Sequence, residues 1–447
     1  PSSLWLSVTN NGITWSRTDH AVATSTGGGD VHDGTYLFYA RQITQPFHPV
    51  PDGFTITSDG QDLYGVGGWF TGQGQPSKLA FIVDGDTNRV DFTGAEATVS
   101  DWKFLGFIDQ TPFTSVDILT ADEVGNETTI FFSDDFHIAK GPGTAAGDHG
   151  GDGKSDIFWR NVGSGQNWLY EMSGSAIAAS NGVNTVSNPD WEIAGRGDYS
   201  GEGKADILWR NAATGQNWMY LMDGASIASS IGVNTVSNLD WEIVANGDYD
   251  GDGKSDILWR NAVTGQNWMY LMNGASIATS AGVNTVSNLD WKIVGSGDFD
   301  GDGKADILLR NSATGQNWVY LMDGASIATS AGVNTVSNLD WKIVADGDYD
   351  GDGKSDILLR NTATGQNWMY LMDGATIATS AGVNTVSNLD WEIVGSGDYD
   401  GDGKADILWR NAVTGQNWMY LMDGSSIATS AGVNTVSALS WQIVNTE

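Results

Sequence analysis

Gly247-Asp248-Tyr249-Asp250-Gly251-Asp252-Gly253-Lys254-Ser255-Asp256 places carboxylates at loop positions 1, 3, 5 and 9 and glycines at 4 and 6. Calcium takes six to eight oxygens at about 2.3–2.6 Å, and alternate side chains of a tightly curled loop can supply them. The carbonyl of Lys254, at position 7, can add one more. Glycine tolerates the positive φ that such a curl demands. An isolated Asp/Gly stretch also makes ordinary turns, but this one recurs every 50 residues, beginning at Asp148, Asp198, Asp248, Asp298, Asp348 and Asp398.

Four copies keep the whole set: Asp248, Asp250, Asp252 and Asp256; Asp298, Asp300, Asp302 and Asp306; Asp348, Asp350, Asp352 and Asp356; Asp398, Asp400, Asp402 and Asp406. Their position-7 carbonyls belong to Lys254, Lys304, Lys354 and Lys404. Two copies are degraded. The first keeps Asp148, Asp152 and Asp156 but has Gly150 at position 3; the second keeps Asp198 and Asp206, with Ser200 at position 3 and Glu202 at position 5. The expectation is Ca2+ in four loops and up to six. The alternative, an acidic turn-forming surface, leaves the fourfold repetition of the same carboxylates unexplained.

Bulk composition agrees with a turn-rich β protein. The 447 residues include 59 Gly, 8 Pro and 20 Trp, unlike a disordered chain. With 55 acidic and 21 basic residues, the net charge of −34 argues against nucleic acid or an anionic membrane surface as partner. The loops hold three carboxylates in each of the first two copies and four in each of the rest, 22 in all, so much of the acidity reads as ligand charge. Cysteine is absent, which rules out a disulfide framework. No apolar run is long enough to span a bilayer. The chain starts at Pro1 without Met, which suits a processed N-terminus. Calcium is plentiful outside cells, so the loops point to an extracellular or cell-surface setting.

Residues 1–140 share no visible repeat with the rest. Short β-type runs at 36–40, 54–57, 79–83, 104–108, 115–119 and 128–132 alternate with Gly, Asp, Asn and Pro clusters, the pattern of a β-sandwich. The order Phe-Leu-Gly-Phe, Thr-Pro-Phe-Thr-Ser-Val, Phe-Ser-Asp-Asp-Phe-His-Ile over 104–138 resembles the C-terminal half of jelly-roll sandwiches on bacterial surface proteins, including those with a PEP-CTERM sorting tail. Residues 141–146 read as a linker. From 147 to 447 there are six 50-residue units, a period that signals a propeller or solenoid. In the third unit, candidate strands lie at 240–245, 257–261, 267–272 and, more weakly, 276–280. Four strands per repeat make a propeller blade, and apolar residues on both strand faces suit a sheet packed between two others.

The unit Gly-Asp-Tyr-Asp-Gly-Asp-Gly-Lys-Ser-Asp-Ile-Leu-Trp-Arg-Asn (247–261) resembles the FG-GAP/VCBS repeats, relatives of the integrin α-chain propeller. The resemblance implies that the loop joins the first two strands of each blade and binds calcium through the residues named above. Integrin-type propellers have seven blades; this chain has six units. The first unit lacks its own Trp-x-Ile-Val strand, and the chain finishes with one, Trp441-Gln442-Ile443-Val444. Added to the first blade, that strand closes a six-bladed ring and leaves no edge. Residues 136–140 compete for the place but lie too far from Asp148 in sequence.

The rim opposite the acidic loops collects Arg260, Asn261, Gln266, Asn267 and Trp268, with 284–288. Arginine, amides and indole together can bind and stack on a sugar. The same residues also make good turns and a good core. The five histidines show no zinc-like or nucleophile-like spacing. Gly27–Gly34 could hold a metal, Asp134-Asp135 a calcium, and Asn126-Glu127-Thr128 is a glycosylation pattern. An active site is a local, asymmetric cluster, and near-identical blades with no odd His, Tyr or Lys argue against one. The expectation is therefore an all-β protein, an N-terminal sandwich followed by a six-bladed propeller, that binds glycan or a surface protein. The alternatives are a subunit of an extracellular filament or sheath, built from copies of itself, and a polysaccharide-active enzyme such as a lyase.

Overall fold

The computed structural model describes residues 145–444 and, within 1–140, the backbone of ten strands. The chain divides into two compact units, Pro1–Gly141 and Pro142–Glu447. The first holds two antiparallel sheets. One runs Ser7–Asn10, Ile13–Ser16, Gly53–Ser58, Ser115–Ala121, Lys78–Val83, Asn88–Asp91; the other runs Phe38–Tyr39, Phe131–Lys140, Leu63–Gly72, Lys103–Phe113. Residues 136–140 belong to the second of these sheets, paired with Leu63–Gly72, and do not enter the propeller. The loop 27–34 and the Asn-Glu-Thr at 126–128 lie outside the described residues.

The second unit is a six-bladed β-propeller of four-stranded antiparallel sheets. In the third blade the order is Trp241–Gly247, Asp256–Asn261, Gln266–Asn273, Ser276–Thr285. The last strand, ten residues long, is the longest of the four and twice the length expected from sequence. The Trp-x-Ile strands of successive blades neighbour one another, which makes them the innermost strands. Alternating side chains face the two adjacent blades. Leu258 and Met269 turn toward Ile307, Leu309 and Met322 of the fourth blade, while Ile257, Trp259 and Met272 turn toward Leu208 and Met219 of the second. Burying such a side chain is worth roughly 1.5–3 kcal/mol. The blades are therefore held chiefly by each other.

The ring closes at the first blade. Trp441–Ile443 takes the place of its inner strand, with Asn161 opposite Trp441 and Trp159 opposite Ile443, the register that Asn211, Trp191, Trp209 and Ile193 show in the second blade. Val444 N–H extends the pairing to the Phe158 carbonyl (2.9 Å). The far half of this inner strand comes from the other end of the unit. Asp156 N–H donates to the Gly147 carbonyl (3.1 Å), matching the pairing of Gly197 with Asp206 in the next blade. One strand is thus assembled from two chain ends.

Arg196, on the inner strand of the second blade and only 4% exposed, spans the junction. It donates to the Val444 carbonyl on one side (2.9 Å) and to the Gly147 and Asp156 carbonyls on the other (3.3 Å each). His149 Nε2 lies 3.2 Å from the same guanidinium, and its Nδ1 lies 2.5 Å from the Ala205 carbonyl. The ring is thus neutral, with Nδ1–H as the donor; burial and the Arg196 charge push its pKa well down. Removing a donor from buried carbonyls costs about 1–3 kcal/mol for each group left unpaired. Arg196→Ser should therefore lower the stability of the propeller by roughly 2–4 kcal/mol in denaturant unfolding. A loss below about 0.5 kcal/mol, the size of an ordinary surface change, would show that the split strand holds without it.

Candidate metal centre and the opposite rim

Each acidic loop is folded by its own first and last carboxylates. Asp248 Oδ1 accepts from the N–H groups of Gly251 (2.7 Å) and Asp252 (3.1 Å), and Oδ2 from that of Gly253 (2.8 Å). Gly251 and Gly253 carry φ of 76° and 83°, a conformation that side chains resist. Asp256 Oδ2 accepts from Tyr249 N–H (2.9 Å) and Oδ1 from Met272 N–H (2.8 Å), tying the loop to the third strand. Asp252 Oδ1 takes Lys254 N–H at 2.9 Å.

Within this frame, side-chain oxygens of Asp248, Asp250 and Asp256 lie within 4.8 Å of one another. So do those of Asp348, Asp350 and Asp356, of Asp398, Asp400 and Asp406, and of Asp298, Asp300 and Asp302. In that last loop Asp306 stands outside the triplet, though it keeps its bonds to Phe299 N–H and Met322 N–H. An all-oxygen carboxylate set suits a hard cation. Burial, reinforced by neighbouring carboxylates, pushes Asp256 and Asp406 up to about 8, Asp306 and Asp356 up to about 7, and Asp248 up to about 6. A divalent cation among these groups favours their ionised form. The acidic clusters can therefore hold a metal ion.

The first two loops have the same backbone fold. Asp148 accepts from Gly151 and Gly153 (2.7 Å each) and Asp156 from His149 and Met172; Asp198 and Asp206 make the equivalent bonds. Ser200 Oγ turns inward onto Asp198 Oδ1 at 3.3 Å. The position-5 carboxylates Asp152, Glu202, Asp252, Asp352 and Asp402 all stand outside a triplet, and only Asp302 joins one; among the described residues, clusters of three acidic groups occur only in the four intact loops. The loop fold rests on positions 1 and 9, and the acidic triplet occurs only where position 3 is also Asp.

The loops form a continuous ring. The N–H at position 8 of each donates to the position-1 carbonyl of the loop before it: Ala205 to Asp148, Ser255 to Asp198, Ala305 to Asp248, Ser355 to Asp298, Ala405 to Asp348 and Ser155 to Asp398, at 2.5–2.6 Å. A Cβ on Gly247 would strike Ala305 and one on Gly297 would strike Ser355, which explains the glycine that precedes each loop.

On the opposite rim, Arg260, Asn261 and Asn267 are buried, 6%, 4% and 2% exposed. Arg260 donates to Asn267 Oδ1 (2.9 Å) and to the carbonyls of Val286 and Trp291 (3.2 Å each), so it ties the second strand to the connection leaving the blade. Asn267 Nδ2 continues to Asn284 Oδ1 (2.7 Å), and Asn261 Oδ1 caps the N–H groups of Val263 and Thr264. These three are framework residues, which corrects their reading as ligand contacts. Gln266 and Trp268 remain exposed. The Trp268 indole N–H donates to Ser280 Oγ (2.9 Å) and one ring face lies over Gly282.

The sequence reading also missed a set of asymmetric residues. At the inner-strand position two before each loop stand Ala146, Arg196, Asn246, Ser296, Asp346 and Ser396. They stitch blades together: Asn246 Nδ2 donates to the Arg196 carbonyl (2.6 Å), Asp346 accepts from Ser296 N–H (3.1 Å), and Ser396 meets Tyr349 Oη (2.7 Å). Variation at one position among near-identical units was the available signal.

Three overlapping stretches, 248–309, 298–359 and 348–409, match a sequence model described as the FG-GAP-like repeat, so the chain carries FG-GAP-like repeats. No curated protein matches the sequence. Among solved structures, the chain is similar to one in a nidogen/laminin complex (8% identity, 65% of this chain and 96% of that one, TM-score 0.44). It is also similar to AztD of Citrobacter koseri (10% identity, 83% and 97%, TM-score 0.40). A putative 6-phosphogluconolactonase of Bacteroides fragilis is a third (13% identity, 65% and 97%, TM-score 0.34).

The two roles within a loop can be separated by mutation. Asp256→Ala removes the acceptor for two buried N–H groups and should cost about 2–4 kcal/mol even in excess chelator. Asp250→Ala should change chelator-treated stability by less than about 0.5 kcal/mol and act only when metal is present. Equal losses for both variants in chelator would contradict this division.

Proposed function

We propose that the protein is an extracellular or cell-surface binding protein whose propeller is stiffened by Ca2+ in the four intact loops. The observation that carries this reading is the loop ring, in which four carboxylate triplets sit within a closed belt of backbone hydrogen bonds. Asp248, Asp250, Asp252 and Asp256 and their equivalents would hold the cation, with the Lys254, Lys304, Lys354 and Lys404 carbonyls completing the set; calcium would supply charge neutralisation and cross-bracing. In this reading the two N-terminal sheets pack as a jelly-roll-like sandwich. The role is adhesion or capture of glycan or surface protein, not catalysis: the departures from symmetry at Arg196 and His149 are buried in the closure and committed to it.

Glycan contact falls to Gln266 and Trp268 and their equivalents. A half-exposed ring on each of several blades offers a repeated stacking surface. A second reading, a subunit of a surface filament or sheath, draws on exposed apolar groups of the same rim. Leu239 is 46% and Val263 63% exposed, on segments joined by the Ala262 N–H to Asp240 carbonyl bond (2.7 Å).

Calcium bound only to the folded state adds about 2.7 kcal/mol per site at a hundredfold excess over Kd. Excess chelator should therefore lower the melting temperature of the propeller sharply, and an unchanged calorimetric transition would remove calcium from the reading. For the ligand, replacing Gln266 and Trp268 by Ala in one blade should barely change attachment to immobilised polysaccharide. The same change in all six blades should abolish it, because linked weak sites act through effective concentration. Undiminished attachment by a folded, calcium-bound six-blade variant would pass the lead to the filament reading.

A further inference from the structure

We propose that the residue at the end of the third strand tunes the cation affinity of each loop by deciding where the position-7 lysine is held; this rests on the calcium reading above. The position is occupied by Ser173, Asp223, Asn273, Asp323, Asp373 and Asp423 in the six blades. Where it is Asp, it takes the lysine: Lys204 Nζ lies 2.5 Å from Asp223, Lys304 2.9 Å from Asp323, Lys354 2.6 Å from Asp373 and Lys404 2.5 Å from Asp423. Where it is not, the lysine turns onto position 5 of its own loop. Lys154 Nζ lies 3.4 Å from Asp152 beside Ser173, and Lys254 Nζ 3.0 Å from Asp252 beside Asn273. Lys304 touches both choices, with Asp302 at 3.5 Å.

The lysine has little other freedom. A Cβ placed on Gly201 of the preceding loop would lie 3.1 Å from the Lys254 stem, and the other loops repeat this packing. The stem is pinned, and the ammonium swings between two carboxylates. This matters to a cation because Asp252 Oδ1 already accepts Lys254 N–H, which leaves Oδ2 as the oxygen with capacity to spare, and Oδ2 is where the ammonium sits. A cation that drew on Asp252 in addition to the Asp248, Asp250 and Asp256 triplet would have to displace it. At the fifth and sixth blades Asp373 and Asp423 have already drawn the lysine away. The pairs are exposed, so the difference is modest, of the order of an exposed ion pair.

The ten methionines make this measurable blade by blade in the full chain. Met272, Met322, Met372 and Met422 donate their N–H groups to Asp256, Asp306, Asp356 and Asp406, so their methyl resonances report the four intact loops separately. In a calcium titration of methyl-labelled protein, Met272 should reach half-saturation at about two- to fivefold higher calcium than Met372 and Met422. Asn273→Asp and Lys254→Gln should each erase that gap. Asn273→Asp should add nothing in the Lys254→Gln background, and Asp323→Asn should weaken the Met322 response by a similar factor. Coincident saturation of Met272 with Met372 and Met422 in the parent overturns the proposal. So does an Asn273→Asp effect that persists without Lys254, since it would then be bulk charge. If no methionine resonance responds to calcium, the calcium reading itself fails and takes this proposal with it.

Discussion

The hydrogen bond from each loop's position-8 N–H to the position-1 carbonyl of the preceding loop sets the spacing of the whole ring. Five of these bonds join residues 57 apart, as in Ala205 and Asp148, and the sixth, from Ser155 to Asp398, closes the ring. Apolar packing between blades is strong but weakly directional. It tolerates some sliding of one sheet over the next. The loop-to-loop bond does not, because its donor and acceptor sit on backbones that Asp248 and Asp256 have already folded into one curl. Glycine at 197, 247, 297 and 397 follows directly, since any side chain there would hold adjacent loops apart.

A ring built this way needs a junction. The split inner strand of the first blade brings Val444 and Gly147 together, and Arg196 supplies what the missing peptide link cannot, a rigid set of donors reaching both pieces. Guanidinium suits that task because its donors are fixed in a fork. Neutral His149 sits where the other blades have Tyr or Phe, and Nε2 then accepts from Arg196 without adding a second buried charge. The junction is thus a local polar solution to a problem that five of the six blades never face.

The period, the strand number, the loop and the closing strand were all legible in the sequence, because each is written in residues whose spacing has one physical use. The rim was not. Arg260-Asn261 and Gln266-Asn267-Trp268 read as an exposed polar turn, yet the guanidinium and two amides lie inside, bonded to Val286, Trp291 and Asn284. Buried hydrogen-bond networks and exposed turns draw on the same residue types, and only the fold tells them apart. The strand Ser276–Thr285 read as half its length because small residues over Ala-Thr-Ser-Ala-Gly carry no apolar alternation. Gly282 is there to receive the Trp268 ring. Leu63–Gly72 went unread for a related reason: four glycines in ten residues mask a strand.

Departures from the repeat fall in different places, and that distribution separates stability from binding. Those at Arg196 and His149 are buried and serve closure. Those at Gly150, Ser200, Glu202, Ser173 and Asn273 lie in and beside the acidic loops, where they change the local set of carboxylates. On the other rim Gln266 and Trp268 recur in every unit at the same spacing. The acidic loops and the exposed indoles occupy opposite ends of the second and third strands. A cation in those loops would therefore brace the array without touching the opposite rim. In the proposed function, ligand affinity would come from the number of equivalent surfaces and their fixed separation, and a bound cation would serve by keeping that separation constant.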